Sequence, residues 1–295
     1  MPASQIFFTI VVPFGLFMIM AGLGLTLSVK DIVRVIVMPK AVLIGLAGQL
    51  LLLPLLAFAL VEIFSPPPVI AIGLILLAAC PGGITSNGYV FASRGDVALS
   101  VTMTTISSMV VVVSMPLLTY LALTLYSGDG LIVELPVLDV MQKLALLTLL
   151  PIALGMITRH LWPVFADKMV EPVRKIAIAI LIMVIVGNTI ASFDTIVENF
   201  LAAGVVSLLL NLIAMSSGYA AARFFRLPPG QVISITYEVG VQNISLVLTL
   251  AMAILAVPDY AVTALVYGLF MKITALSFMA FCGRILNESN RETAG

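Results

Sequence analysis

Long apolar runs interrupted by only a few polar positions follow one another along nearly the whole chain of 295 residues. An α-helix needs about twenty apolar residues to cross a bilayer. Runs of that length fall at roughly 6–27, 41–63, 69–93, 97–126, 137–158, 175–191, 201–222, 231–257 and 260–283, which predicts nine membrane spans. Two of them are broken in the middle. The third carries Cys-Pro-Gly-Gly-Ile-Thr-Ser-Asn at 80–87, and the eighth carries Tyr-Glu-Val-Gly-Val-Gln-Asn at 237–243. Lipid offers a freed peptide group no hydrogen-bond partner, so a helix broken in mid-span survives only where its backbone is buried or coordinates something. Paired breaks, one in each half of a chain, point to the binding site of a transporter.

Composition agrees with that pattern. Hydrophobic residues make up 62% of the chain and charged residues 9%, with a mean hydropathy of +1.22, too apolar for a water-soluble domain. No basic tail or aromatic-basic interleaving suggests nucleic acid, and nothing suggests an obligate protein partner. Cys80 and Cys282 both lie in apolar segments and need not pair. The first run lacks a basic leader, so no cleaved signal peptide is expected and Met1 is read as the extracytoplasmic start. The connections near 127–136 and 159–174 are too short to fold alone, which predicts a single membrane domain.

Charge then orients the chain. Lys30, Arg34, Lys40, Arg94, Arg159, Lys168, Arg174, Lys175, Arg223, Arg226, Arg284 and Arg291 all fall after spans 1, 3, 5, 7 and 9; these are twelve of the fourteen basic residues. The other two, Lys143 and Lys272, lie inside expected spans. Basic loops stay cytoplasmic, which predicts the N-terminus outside and the C-terminus inside. The expected setting is a plasma membrane, the inner one in a bacterium. The broken spans are five apart, so they run in opposite directions, as in an inverted repeat relating spans 1–4 to spans 6–9.

Glu238 is the acidic residue in the middle of a span; Glu62, Asp139 and Asp259 lie near span ends. A charged carboxylate at a helix centre costs about 2.5–3.5 kcal/mol even on lenient insertion scales. It needs a bound cation, a proton or a salt bridge, for which Lys272 is a candidate. Gln49, Thr85, Ser86, Asn87, Gln242 and Asn243 offer neutral oxygen around the breaks, and Ser100 and Thr104 share one face of span 4. Oxygen donors with a single carboxylate suit a hard alkali cation. Span 4 also carries Thr102, Thr105, Ser107 and Ser108, so its pattern alone does not select the ligands.

The strings Cys80–Asn87, Arg94-Gly95-Asp96-Val97-Ala98-Leu99-Ser100 and Glu238-Val239-Gly240-Val241-Gln242-Asn243 resemble those of the bile acid:sodium symporter family over nearly the whole chain. The resemblance implies an all-α polytopic membrane protein with two crossing broken helices, a panel of spans 1, 5 and 6, and a core of spans 2, 3, 4, 7, 8 and 9. It implies two Na+ ions. Carried over by motif, one ion is held by Ser86, Asn87, Ser100, Thr104 and Glu238. The other is held by Gln49, Glu238, Gln242 and the backbone carbonyls of Val239 and Val241. Thr85 and Asn243 become candidate substrate contacts, and Lys272 a partner for an anionic head group. Ile84 and Lys272 depart from the family pattern at positions that bear on the substrate.

The expected function is sodium-coupled import of an organic anion by alternating access, with proton coupling through Glu238 as the alternative. Catalysis is not expected. The lone His160 lies at a span end beside Trp162, and neither a His-Glu-x-x-His motif nor paired intramembrane Asp residues occur. Helices broken around one carboxylate also fit a channel poorly.

Overall fold

The computed structural model describes residues 7–127 and 135–294. Met1 and the connection over 128–134 lie outside the described residues, as do the side chains of Lys30 and Arg291. In chain order the helices are α1 (Val12–Thr26), α2 (Val29–Val37), α3 (Pro39–Phe64), α4 (Pro68–Ala78), α5 (Ile84–Ala92) and α6 (Val97–Tyr126). They continue as α7 (Val137–Leu161), α8 (Pro163–Ala191), α9 (Phe193–Phe224), α10 (Pro229–Gly240), α11 (Ile244–Ile254) and α12 (Val262–Ala294).

Among the described residues, six segments are both long and apolar enough to cross a membrane: Thr9–Thr26, Pro39–Phe64, Val97–Tyr126, Val137–Leu161, Phe193–Phe224 and Pro258–Leu286. Of the other three expected spans, two are divided, into α4 with α5 and into α10 with α11, and one is the C-terminal part of α8. Large apolar side chains such as Leu43, Ile190, Leu201 and Phe224 face outward, as a lipid-embedded surface requires.

Two stretches expected as connections are helical. Residues 163–174 extend α8, because Pro163 occupies the first turn, where its missing N–H is harmless, and the charges that suggested a loop pair along the helix. Glu171 meets Arg174 at 2.8 Å and Lys175 at 3.9 Å, while Arg159 at the end of α7 reaches Asp167 at 2.7 Å. The stretch between the first two expected spans holds α2, started by Ser28, whose N–H and hydroxyl both donate to Asp31 Oδ2, at 2.8 and 2.6 Å.

Packing follows the small residues. α1 lies mainly against α7 and α8. An added Cβ on Gly24 would come within 2.3 Å of the Ile152 carbonyl, and one on Gly155 within 2.6 Å of the Ala21 carbonyl, so these glycines permit the close approach. α9 packs on α10 and α12, and α6 on α4, α5 and α10. Ile70–Ala78 of α4 and Val232–Gly240 of α10 are buried along their whole length, which places both breaks inside the bundle.

Segments rich in basic residues gather at one end. Lys40 Nζ donates to the Phe225 carbonyl at 2.7 Å, and Asp96 N–H to the Gly230 carbonyl at 2.9 Å. The opposite end is tied by Tyr126, whose hydroxyl donates to Glu62 Oε1 at 2.7 Å, and by Asn188, whose Nδ2 donates to the Pro258 carbonyl at 3.2 Å.

Candidate functional site

Each break forms where the sequence removes or twists a backbone donor. α4 ends at Ala78, Pro81 supplies no N–H, and Gly83 is extended (φ −136°, ψ 176°) before α5 resumes at Ile84. α10 ends at Gly240, Val241 is extended (φ −110°, ψ 104°), and Asn243 Oδ1 accepts from Leu246 N–H at 3.4 Å to start α11. The two open backbones satisfy each other. Gly82 and Gln242 form an antiparallel bridge, and Asn243 N–H donates to the Pro81 carbonyl at 3.0 Å. Around that bridge α5 packs on α10, and α4 on α11.

Glu238 lies in the last turn of α10, completely buried. Its Oε1 accepts from the hydroxyls of Ser86 and Ser100, both at 2.6 Å, and its Oε2 from that of Thr104 at 2.8 Å. The same three hydroxyls have second acceptors: the Gly83 carbonyl for Ser86, and Asn87 Oδ1 for Ser100 and Thr104. Six contacts therefore compete for three hydroxyl protons. A cluster with more acceptor oxygens than protons leaves room for a further proton, a water or a cation. Among the described residues no ion pair joins Glu238 to a Lys or Arg, and no group of three or more His, Cys, Asp or Glu side chains gathers. The site is built from one carboxylate and neutral oxygens.

The structure separates the hydroxyls of α6 that spacing could not. Thr105, Ser107 and Ser108 donate to carbonyls of their own helix, and Thr102 to the carbonyls of Ala98 and Asp31. Ser100 and Thr104 are the pair turned to Glu238. Asp96 sets their register by accepting from Leu99 N–H at 3.0 Å as the N-cap of α6.

A second cluster adjoins the first. Gln49 sits in a widened turn of α3, Gly48–Leu52, in which Leu53 N–H reaches the Gly48 carbonyl. Pro54 accounts for the widening, because its ring crowds the carbonyl four residues back. Gln49 Nε2 donates to the Glu238 carbonyl at 3.2 Å, and Gln242 Nε2 to the Val239 carbonyl at 2.7 Å. Both amide oxygens, Gln49 Oε1 and Gln242 Oε1, are buried without a hydrogen-bond partner within the protein. Unsatisfied buried acceptors of this kind call for a cation or water. Val239 and Val241 are also fully buried in this strip.

The expected substrate residues differ in exposure. Thr85 is exposed on the first turn of α5, and Asn243 is buried at the bridge. Lys272 lies on an exposed stripe of α12 together with Leu269, Ile273 and Leu276, whereas Tyr267, Met271 and Ala275 form the buried stripe. A shallow cleft lies between Leu16 and Ile19 of α1, Leu181 and Val184 of α8, and Ser245 and Thr249 of α11. Asn211 and Tyr267 donate to the Gly240 carbonyl and Thr274 donates to Asn211, three residues not foreseen from the sequence. Asn211 and Thr274 are polar positions in mid-span, and that was the available signal.

Known proteins resemble this chain in sequence. The sequence profile of the sodium bile acid symporter family matches residues 13–199. An uncharacterized sodium-dependent transporter of Bacillus subtilis, YocS, is 33% identical over 243 residues, covering 80% of this chain and 71% of that protein. The ileal sodium/bile acid cotransporter of Oryctolagus cuniculus is 30% identical over 267 residues, 89% of this chain and 76% of the relative. Human sodium/bile acid cotransporter 4 is 30% identical over 264 residues; the match takes in 88% of this chain but only 60% of the human protein's length. The profile match and these identities show that the chain belongs to the sodium bile acid symporter family.

Proposed function

We propose that this protein is a sodium-coupled symporter that carries an organic anion across a bilayer. The observation that carries the reading is the buried Glu238 carboxylate inside a cage holding three hydroxyl protons for six contacts. A cation there is drawn to Glu238, Ser86, Asn87, Ser100 and Thr104. A second is drawn to Gln49, Gln242, the Val239 and Val241 carbonyls and the far side of Glu238. The unpaired oxygens of Gln49 and Gln242 support that second site. Sodium is favoured over a transition metal by the absence of sulfur and imidazole from both sets, and over a divalent ion by the single carboxylate. The relatives' names point to the same ion.

In this reading the chain crosses the membrane nine times, with α4–α5 and α10–α11 each counting as one broken crossing. The N-terminus is outside and the C-terminus inside, in the plasma membrane, the inner one in a bacterium. The gathering of Lys40, Arg94 and Arg226 segments at one end supports that orientation. The antiparallel Gly82–Gln242 bridge supports an inverted repeat.

Sodium acts by joining elements. Its ligands come from α3, α5, α6 and α10, so occupancy pulls four helices and both breaks into one arrangement. That arrangement orders the start of α5 at Thr85 and the adjoining bridge at Asn243, where an anion is received. The panel is α1, α7 and α8, which pack mainly on one another; the core is the remainder, and the cleft lined by Leu181 and Ser245 lies on their seam. Rocking along this seam exchanges access between the two sides, driven by the differential affinity of the two states for sodium.

Reconstitution into proteoliposomes tests the reading. An inward sodium gradient is expected to drive accumulation of a labelled organic anion, steeply in sodium concentration and undiminished when the pH gradient is collapsed. Uptake driven equally well by a proton gradient in sodium-free buffer would replace it with proton coupling through Glu238.

A further inference from the structure

The carbonyl at the second break is held by side chains from α9 and α12, helices that supply none of the expected ion ligands. Gly240 is the last residue of α10, so its carbonyl has no partner within its own helix. Asn211 Nδ2 donates to it at 2.9 Å, and the Tyr267 hydroxyl donates to it at 2.7 Å. Asn211 Nδ2 also lies 3.1 Å from the Tyr267 hydroxyl oxygen, and the Thr274 hydroxyl reaches Asn211 Oδ1 as well as the Phe270 and Met271 carbonyls of its own helix. Asn211 and Tyr267 are fully buried, and every polar side-chain atom of this trio has a partner. A complete circuit of this kind is stiffer than its members taken singly.

We propose that Asn211, Tyr267 and Thr274 are positioning residues that set the sodium affinity of the site without touching the ion. The inference rests on the symport reading above. Its physical basis is the Gly240–Val241 peptide. The carbonyl of that peptide is clasped by Asn211 and Tyr267, and its N–H donates to the Tyr237 carbonyl at 2.7 Å, so the plane is fixed on both edges. Glu238 lies two residues before Gly240 and Gln242 two after it; the orientation of this one peptide sets how both reach their ligand sets. Met215 closes the remaining side, since a Cβ on Gly240 would lie 2.1 Å from its Cγ. Loss of either donor leaves a buried carbonyl acceptor that can turn.

The test is sodium activation of uptake by the full chain in proteoliposomes, with half-saturating sodium and maximal uptake read separately. Tyr267→Phe keeps the ring and removes the donor; it is expected to raise half-saturating sodium about tenfold, the equivalent of one buried hydrogen bond. Thr274→Val is expected to move in the same direction and Thr274→Ser to stay near wild type, because serine keeps the hydroxyl. Thr119→Val, which removes a buried hydroxyl bonded within α6, is the control and leaves the sodium curve unchanged. A merely structural role would lower yield and maximal uptake at constant half-saturating sodium, and that result overturns the proposal. If Tyr267→Phe does not accumulate, the Val and Ser variants at position 274 decide it by the same criterion. A wild type without sodium dependence overturns the symport reading and the clasp together, whereas a sodium-dependent wild type matched by its Tyr267 and Thr274 variants overturns the clasp alone.

Discussion

Glu238 has full burial, three hydroxyl donors and no ion pair among the described residues. A hydrogen bond to a charged group contributes about 1.5–3 kcal/mol, so each cage hydroxyl weighs tenfold or more in the affinity of the site. Glu238→Ala is expected to abolish sodium-dependent uptake while the protein still inserts, checked by transport against membrane yield. Two neighbouring threonines give a sharper comparison. Thr104 donates to Glu238 and Thr105 to the Val101 carbonyl of its own helix. Thr104→Val should raise half-saturating sodium about tenfold or more, and Thr105→Val should leave it in place; equal curves for the two would refute the cage. Spacing alone marked both as polar positions on one span; the family motif named Thr104, and the packing of α6 on α10 brings it to Glu238.

Among the elements, the breaks were legible because proline, glycine and asparagine interrupt an apolar run, which lipid does not tolerate unless the backbone finds partners. That they satisfy each other through Gly82 and Gln242 is a through-space fact. Gly82 is needed there for space, since a Cβ would stand 2.3 Å from Glu238 Oε2 and 3.3 Å from Gln49 Nε2. Gly82→Ala is therefore expected to displace the carboxylate and cut sodium-driven uptake by about tenfold or more, the scale of one lost contact to a charged group. Gly88, four residues into α5 with open space around its Cα, is the contrast. Gly88→Ala is expected to keep the sodium response and to add up to about 1 kcal/mol of helix stability, read as a modest rise in thermal midpoint. The helices α2 and the start of α8 were less legible, because their charges read as loop until Asp31 and Glu171 pair with neighbours one turn away.

For the whole molecule, the distribution of basic residues predicts one cytoplasmic face, and the structure ties several of those segments together at one end. Labelling of single introduced cysteines checks the orientation. Cys80 and Cys282 are buried, so the background is low. Ser65→Cys, in the exposed turn after α3, is expected to react with a membrane-impermeant maleimide in intact cells. Arg223→Cys, exposed in the last turn of α9, is expected to react only once the membrane is opened. The reverse pattern would invert the topology and with it the direction of transport.

Local chemistry was sufficient for several features. The apolar runs, the charge asymmetry, the two breaks and the need of a mid-span Glu238 for a positive partner each follow from the cost of placing backbone or charge in hydrocarbon, and that cost is set by residue type and position. Partner choice was not local. Helical period states which residues share a face but not which helix that face meets. The family motif had named Ser100 and Thr104, but spacing could not select them; only the tertiary structure shows their hydroxyls on Glu238, the unpaired oxygens of Gln49 and Gln242, and the hold of Asn211 and Tyr267 on the Gly240 carbonyl.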